Sequence, residues 1–298
     1  MPSESDRPVG IGSGAQVPEL DPSDVRRVIE AALAEDVGTG DITSLAVIPE
    51  DLRFHGVMRA RHGMVIAGLP VAAEVFRTVE PSVRFHALVS DGDAVAEGAI
   101  LAEIGGPARG LLAAERTALN LLQTLSGIAT ATRQFVDMIR DTSCTLLDTR
   151  KTIPGLRNLS KYATRCGGAR NHRRGLFDAI LIKDNHIAVC GSIRAAVARA
   201  HESVDRANPP ILIEVECDTL DQVAEAADSI VDMILLDNMN PDQLRQAVAL
   251  VAGRAKTEAS GGVTLETIRA IAESGVDYVS VGRITQSAPA VDIGLDWV

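Results

Sequence analysis

The sequence predicts an α/β protein: an incomplete β/α barrel of six or seven parallel strands, preceded by a smaller, mostly β domain. Three observations carry this. After Asp141, short apolar runs that end in charged residues alternate with amphipathic stretches, and apolar runs without alternation are strands buried on both faces. The run ends recur at a near-constant period: Glu216 to Asp237 is 21 residues, Asp237 to Glu258 is 21, and Glu258 to Ser280 is 22. Before Asp141 the texture differs, with short alternating segments broken by glycine.

Composition narrows the class. The chain has 298 residues, 46% apolar and 23% charged, which is ample for a core, but only 3% are aromatic, so aliphatic side chains must fill it. No apolar run is long enough for a membrane span, and no basic stretch followed by an apolar one opens the chain, so neither span nor signal peptide is expected. Cys144, Cys166, Cys190 and Cys217 lie 22, 24 and 27 residues apart without a C-x-x-C pair. That is no zinc pattern and no disulfide framework, and it points to a reducing cytoplasm.

In chain order, residues 1–18 are rich in Gly, Ser and Pro and are expected to form a mobile tail. Asp21-Pro22-Ser23-Asp24 then supplies cap and first-turn signals for a helix ending near Asp36, with Val25, Val28, Ile29 and Leu33 as its apolar stripe. Glu35 to Thr43 is a Gly-punctuated acidic stretch and is expected to be a loop. RFHGVMRA, GMVIAG, VRFHALV and AILAEIGG alternate like strands, with a helix over Leu69–Val79 between them. The stretch DGDAVAEGAILAEIGG resembles the hairpin turn of lipoyl and biotinyl carrier domains. No lysine precedes Lys151, so carrier function is excluded while a related architecture stands. From Pro107 to Arg140 the apolar residues recur at helical spacing, and Arg116, Asn120, Gln123 and Gly127 share another face.

Beyond it, strands are expected to end at Asp148, Lys183, Glu216, Asp237, Glu258 and Val281, with helices over 192–207, 219–227, 241–251 and 264–274. The closing VDIGLDWV alternates like a strand that returns to the first domain. The expected domains are therefore 19–115 together with 287–298, and a barrel over 116–286.

Charge marks the candidate site. Between Arg150 and Lys183 stand nine cations and one acid, Asp178, in a chain whose net charge is −11. A basic island in an acidic chain argues for a local anionic ligand rather than a nucleic-acid surface. Three of the four lysines, Lys151, Lys161 and Lys183, lie in it, where a compact point charge suits better than a planar fork. Arg150, Lys151, Lys183, Glu216, Asp237, Ser260 and Gly282 all fall at or just past strand ends, and the C-terminal rim of a barrel brings such residues into one ring. Arginine grips carboxylates and phosphates through paired hydrogen bonds. Glu216 and Asp237, on neighbouring strands, suit a magnesium ion shared with substrate oxygens. Ser260-Gly261-Gly262 and Val281-Gly282-Arg283 follow the last two strands, where barrels cradle phosphate with backbone N–H groups.

Nearly the whole chain after residue 20 resembles the quinolinate phosphoribosyltransferase family. The resemblance rests on LAEDVGTGDIT, AERTALNLLQTLSGIAT, DTRKTIPGLR, GGARNHRRGLFDAILIKDNHI, EVE, LLDNM, EASGG and VGRITQSAPAVDIGLDW, of which DTRKT, NHR-x-GL and IKDNH are the most specific. It implies an α/β sandwich plus an incomplete barrel, assembled as a homodimer or larger. It further implies decarboxylating transfer of a phosphoribosyl group to quinolinate, a step of NAD synthesis. Arg150, Lys151, His172, Arg173 and Lys183 would hold the two carboxylates, with Arg116 arriving from the neighbouring subunit. Glu216 and Asp237 would bind Mg2+ and the ribose hydroxyls of phosphoribosyl pyrophosphate. The loops at Ser260, Gly261, Gly262, Ser280 and Gly282 would hold its 5′-phosphate, and Lys151, Glu216 and Asp237 would be the catalytic set. The family often carries VGALTHS where this chain has Arg283 and Gln286, beside that phosphate loop.

Three other readings fit some of these residues. A related transferase acting on nicotinate needs fewer cations than Arg116 and Arg173 supply. A polyanion-binding surface leaves the paired acids unexplained, and a Schiff-base aldolase centred on Lys183 gives no role to so many neighbouring cations.

Overall fold

The computed structural model describes residues 19–204 and 211–298; the tail expected over 1–18 and the end of the helix expected to reach 207 lie outside them. The first elements are helices α1 (Pro22–Asp36) and α2 (Ile42–Val47), strands β1 (Arg53–Ala60) and β2 (Met64–Val65), and helix α3 (Leu69–Val79). Strands β3 (Arg84–Ala87), β4 (Ala94–Val95) and β5 (Ile100–Pro107) follow, then the 32-residue helix α4 (Ala108–Ile139). Next come β6 (Thr145–Leu147), α5 (Arg157–Cys166), β7 (Ile180–Ile182), α6 (Asp184–Cys190) and α7 (Ile193–Val204). The remainder alternates: β8 (Ile213–Cys217), α8 (Leu220–Ala227), β9 (Met233–Asp237), α9 (Pro241–Val251), β10 (Lys256–Ser260), α10 (Ile268–Ala272), β11 (Tyr278–Ser280), α11 (Arg283–Gln286) and β12 (Ile293–Trp297). No helix among the described residues is long and apolar enough to cross a membrane, and the four cysteines are free thiols.

The chain forms two compact units, and the division falls inside α4, between Arg133 and Gln134. The first holds a four-stranded antiparallel sheet in the order β12-β1-β5-β3, with the small β2-β4 pair beside it in sequence. The closing segment does return: Ile293 faces Ala60 and Trp297 faces Gly56 across the β1-β12 ladder, and the Trp297 ring meets Phe54 with centroids 5.3 Å apart. Leu69, Val71, Val75 and Phe76 of α3 are buried together with Met58, Leu101 and Ile104 of the sheet. Asp91 anchors this unit by accepting the backbone N–H groups of Gly68 and Leu69 at the start of α3 and the hydroxyl of Tyr162 from α5.

That last contact changes two readings of the sequence. Residues 152–168, placed by sequence with the barrel, group with the first unit because Leu159, Tyr162, Ala163 and Cys166 of α5 join its core. The basic island is consequently divided between the units: Arg157, Lys161 and Arg165 ride on α5, while Arg150, Lys151, Arg170, Arg173, Arg174 and Lys183 belong to the other unit. Likewise 116–133 groups with the first unit, since the apolar stripe of one unbroken helix gives no sequence signal for a boundary. The acidic stretch read as a loop is a turn between two helices. Asp41 caps α2, its carboxylate accepting the N–H groups of Thr43 and Ser44, and these bonds together with the Ser44 hydroxyl hold its pKa below the usual range.

The second unit is a six-stranded parallel sheet in the order β6-β11-β10-β9-β8-β7. The first strand lies beside the last, which is the order of a barrel opened between β6 and β7. A further backbone segment begins to continue it: Arg170 N–H donates to Leu146 O (2.9 Å) and Asp148 N–H to Arg170 O (3.1 Å), a one-residue parallel bridge on the outer edge of β6. The helices between strands start where the sequence signals them, with Thr219 and Gln222 closing a capping box on α8 and Asn240 capping α9 ahead of Pro241.

The polar stripe of α4 has a structural purpose within the first unit. Gln123 donates its amide to Ile293 O (2.7 Å), Val291 N–H donates to Gln123 O, and Gly127 packs so closely that an added Cβ would overlap the Pro289 carbonyl. Gly127→Ala should therefore lower stability by about 1–3 kcal/mol, the usual cost of overpacking a tight contact. Equilibrium urea denaturation of both proteins measures this, and a loss under about 0.5 kcal/mol would mean that the returning segment shifts without strain.

Candidate active site

Parallel pairing puts alternate residues of neighbouring strands on one face of the sheet. Glu216 stands opposite Leu235, Leu235 opposite Glu258, and Asp237 opposite Ser260, whereas Cys217 and Leu236 point the other way. The strand ends thus deliver Leu181, Glu216, Leu235, Asp237, Glu258, Ser260 and Ser280 to one side of a cavity of about 410 Å³, and loop residues Thr149, Arg150, Lys151, His172, Arg173 and Lys183 complete its lining. Cations on one arc face acids on the other.

The loops are fixed from below by Asp148, which is fully buried at the end of β6. Its carboxylate accepts His172 N–H (2.8 Å) and the Asn171 side-chain amide (2.7 Å), so the DTRK and NHRR motifs are tied at one residue. Lys151 N–H donates to Thr149 Oγ1 (3.0 Å), and the Lys151 side chain passes so near Gly282 that a Cβ there would lie 2.9 Å from its Cδ. Lys183 begins α6, its N–H donating to His186 Nδ1 (2.9 Å), and its ammonium forms an ion pair with Glu216 Oε2. Because the Lys183 side chain is 44% exposed, that pair adds little stability and is available for exchange with a ligand.

The electrostatics suit an anionic guest accompanied by a cation. Arg173 is buried and donates Nη1–H to Ala179 O (3.2 Å); burial, and then the neighbouring Arg150 charge, hold its pKa below the ordinary arginine value. Asp237 shows the opposite need. Burial raises its pKa, Asp218 raises it further, and Lys183 and Lys151 only partly offset this. Asn238, at φ 55°, donates to Asp237 Oδ2 (2.7 Å). Gly261, at φ +94°, sits where a Cβ would lie 2.9 Å from the Asn238 backbone nitrogen. Gly261 is therefore demanded by the turn itself.

Not every residue singled out by sequence lines the cavity. Arg116 is exposed on α4 in the first unit, and Gly261, Gly262 and Gly282 flank the strand ends outside the lining. Three residues went unassigned in the sequence. Asp148 is one, and Glu214 and Glu258 are the others, both buried and flanking His172 Nε2 at 3.1 and 3.3 Å. The signal for Glu214 was present in Glu-Val-Glu, since residues two apart on a strand share a face. Burial, and then the Glu258 charge, push the Glu214 pKa up to about 7.

His172, which the resemblance assigns to the carboxylates, lines the cavity. Its Nδ1 accepts Arg173 N–H (2.7 Å) and its Nε2 faces the acids, so both ring nitrogens have protein partners. Burial disfavours an imidazolium, yet Glu258 and Glu214 outweigh it and hold the ring's pKa well above the ordinary value. The Arg173 amide needs a lone pair on Nδ1. That contact opposes a second ring proton and places the one the ring carries on Nε2, toward the acids.

Strand-end cations facing strand-end acids in an open barrel define an enzyme site for a small polyanion. The chain belongs to the quinolinate phosphoribosyl transferase family, whose N-terminal domain matches residues 41–126 and whose C-terminal domain matches residues 128–296. It is 43% identical over 272 residues to a probable nicotinate-nucleotide pyrophosphorylase (carboxylating) of Bacillus subtilis, covering 91% of this chain and 93% of that one. It is 41% identical over 301 residues to the chloroplastic nicotinate-nucleotide pyrophosphorylase (carboxylating) of Arabidopsis thaliana, covering 96% and 86%. Among solved structures, the nicotinate-nucleotide pyrophosphorylase of Francisella tularensis superposes with a TM-score of 0.91 at 39% identity, over 96% of this chain and all of that one.

The Asp148 arrangement is testable by itself. Asp148→Ala leaves the buried His172 N–H without its carboxylate, which should cost about 1–3 kcal/mol in urea denaturation. An unchanged midpoint would show that this amide finds another acceptor and that Asp148 does not tie the two motifs.

Proposed function

We propose that this protein transfers the phosphoribosyl group of phosphoribosyl pyrophosphate to quinolinate with loss of CO2, giving nicotinate mononucleotide and pyrophosphate in NAD synthesis. The observation that carries this reading is the cavity in which Arg150, Lys151, Arg173 and Lys183 face Glu216 and Asp237 across one ring of strand ends. A pyridine with two carboxylates and a sugar bearing phosphates and hydroxyls are the partners such a divided lining suits.

On this reading the cationic arc holds quinolinate and aims its ring nitrogen at C1 of the ribose. His172 serves as wall and support. Glu216 and Asp237 take the ribose hydroxyls and the metal, while the turns at Ser260–Gly262 and Ser280–Gly282 take the 5′-phosphate. Two carboxylates whose remaining partners come from substrate oxygens are a fitting donor set for Mg2+, and the burial that raises the Asp237 pKa favours a cation beside it. When bound, the ion would neutralise charge on the departing pyrophosphate. The C1–O bond breaks as the N–C1 bond forms, through an oxocarbenium-like transition state. The C2–carboxylate bond then breaks, its electron pair stays at C2 beside the new ring cation, and a proton from water replaces the CO2. Lys151 and Lys183 orient the reacting groups, and burial of the cavity floor excludes water.

A reducing cytoplasm agrees with four free thiols. Self-association through shared sites agrees with the exposed apolar residues Ile42, Leu45 and Val47 on α2.

The reaction is tested by CO2 released from carboxyl-labelled quinolinate. Release should require both phosphoribosyl pyrophosphate and Mg2+, and should be abolished by the double variant Glu216→Ala, Asp237→Ala while quinolinate alone still binds. Loss of quinolinate binding with phosphoribosyl pyrophosphate binding intact would reverse the assignment of the two arcs.

The shared site is tested by mixing. Arg116→Ala and Lys151→Ala proteins, each nearly inactive, are combined under conditions that exchange subunits. Half of the dimers become mixed, each with one site intact and one lacking both residues, so about one quarter of wild-type activity should return. Verified exchange without recovery would place Arg116 outside the partner's site.

A further inference from the structure

Glu214 and Glu258 are an expensive feature for a fold to keep. Both are buried, they repel each other, and apart from the His172 contacts none of their four carboxylate oxygens has a hydrogen-bond partner among the described residues. What stands between them is His172 Nε2, flanked at 3.1 and 3.3 Å, and the opposite nitrogen of the same ring receives the Arg173 amide at 2.7 Å. A chain of contacts therefore runs from the acid pair through one imidazole to the backbone of a cavity-lining arginine.

The same three donors lie within 4.8 Å of one another, a spacing that a metal ion can use. Metal on Nε2 requires the ring proton on Nδ1, however, and the Arg173 amide occupies that position as a donor. The geometry favours a proton, not a metal, between the acids. The location of the negative charge then matters. It lies beside two arginines that repel each other, Arg150 and Arg173, where the Glu214 charge offsets part of that repulsion.

We propose that Glu214 and Glu258 are positioning residues for the dicarboxylate: through His172 they hold Arg173 at the cavity wall, and their charge lets Arg150 and Arg173 stand together before substrate arrives. The inference deepens the proposed reaction and rests on it, because it takes the cationic arc to be the quinolinate subsite. Glu214 lies outside the cavity lining and Glu258 within it, and the role of both is to place Arg173 rather than to take part in the reaction. Their influence should reach one substrate and not the other.

The experiment is steady-state kinetics of the full-length enzyme bearing Glu258→Gln or Glu214→Gln, which preserve volume and remove charge. Each should raise the KM for quinolinate about tenfold or more, leave the KM for phosphoribosyl pyrophosphate within about twofold, and lower kcat less than it raises the first KM. His172→Ala should do the same, and adding Glu258→Gln to it should raise the quinolinate KM by less than the product of the two single effects, because part of the influence runs through one ring. An unchanged quinolinate KM, equal rises for both substrates, or additive effects in the double variant would overturn the inference. Should the glutamine variants fail to fold, 15N imidazole spectra of the unaltered protein decide: His172 is expected with its proton on Nε2 and none on Nδ1, and a protonated Nδ1 overturns the contact chain. A wild-type protein without quinolinate-dependent CO2 release would instead remove the reaction on which the inference stands.

Discussion

The constraint on which the rest of the site depends is the company that positive charges must keep when no substrate is present. Burial, and then the charge of Arg150, hold the Arg173 pKa below the ordinary arginine value. Cations so placed repel, and a flexible loop would let them drift apart into water. The barrel prevents this with rigid connections: Asp148 at the end of β6 binds the His172 amide, and His172 in turn binds the Arg173 amide, so Arg173 is tied back to the first motif through the ring beside it. Preorganised charge of this kind loses nothing to reorganisation when the reaction begins.

The parallel sheet supplies the other half. Its two-residue period turns Glu216 and Asp237 toward the cavity and Cys217 and Leu236 away from it, and the pairing of Asp237 with Ser260 aligns the acid with the neighbouring turn. Glu216 is held by Lys183 and Asp237 by Asn238, so the acids too are oriented while the site is empty. The tight turn at Gly261 against Asn238 then reads as part of the acid's support, not as a phosphate loop alone. Sequence position at a strand end is thus informative only because the fold converts it into a direction.

Much of this was legible in the residues. The 21-residue spacing of charged strand ends disclosed the sheet, Pro241 and Thr219 disclosed helix starts, and VDIGLDWV disclosed the returning strand, because each signal is local or periodic. What escaped was set by tertiary contact. Helix α5 carries so much charge that it read as part of the basic island, yet four apolar side chains bind it to the first unit's core. Helix α2 hid behind glycines, its only cue being the capping carboxylate of Asp41. Glu214 and Glu258 looked like ordinary strand residues since no sequence pattern tells which acid will meet a histidine 42 or more positions away. His172 shows the limit most clearly: the motif gave the residue type, whereas the partners of its two nitrogens decide what the ring does.

A buried acid pair behind the cations also bears on the chemistry itself. The carboxylate at C2 must be held firmly enough to orient the ring and then released as neutral CO2, and cations that grip it too well stabilise the ground state more than the transition state. Fixed negative charge beneath Arg173 tempers that grip without removing the donor geometry, since Glu214 acts on the guanidinium through space while its hydrogen bond to Ala179 keeps it aimed. The carboxylate that stays on the product meets no such conflict, so tight binding there serves orientation alone. A site that must treat two chemically alike carboxylates differently needs unequal surroundings for its cations, and the buried acids of this barrel provide them.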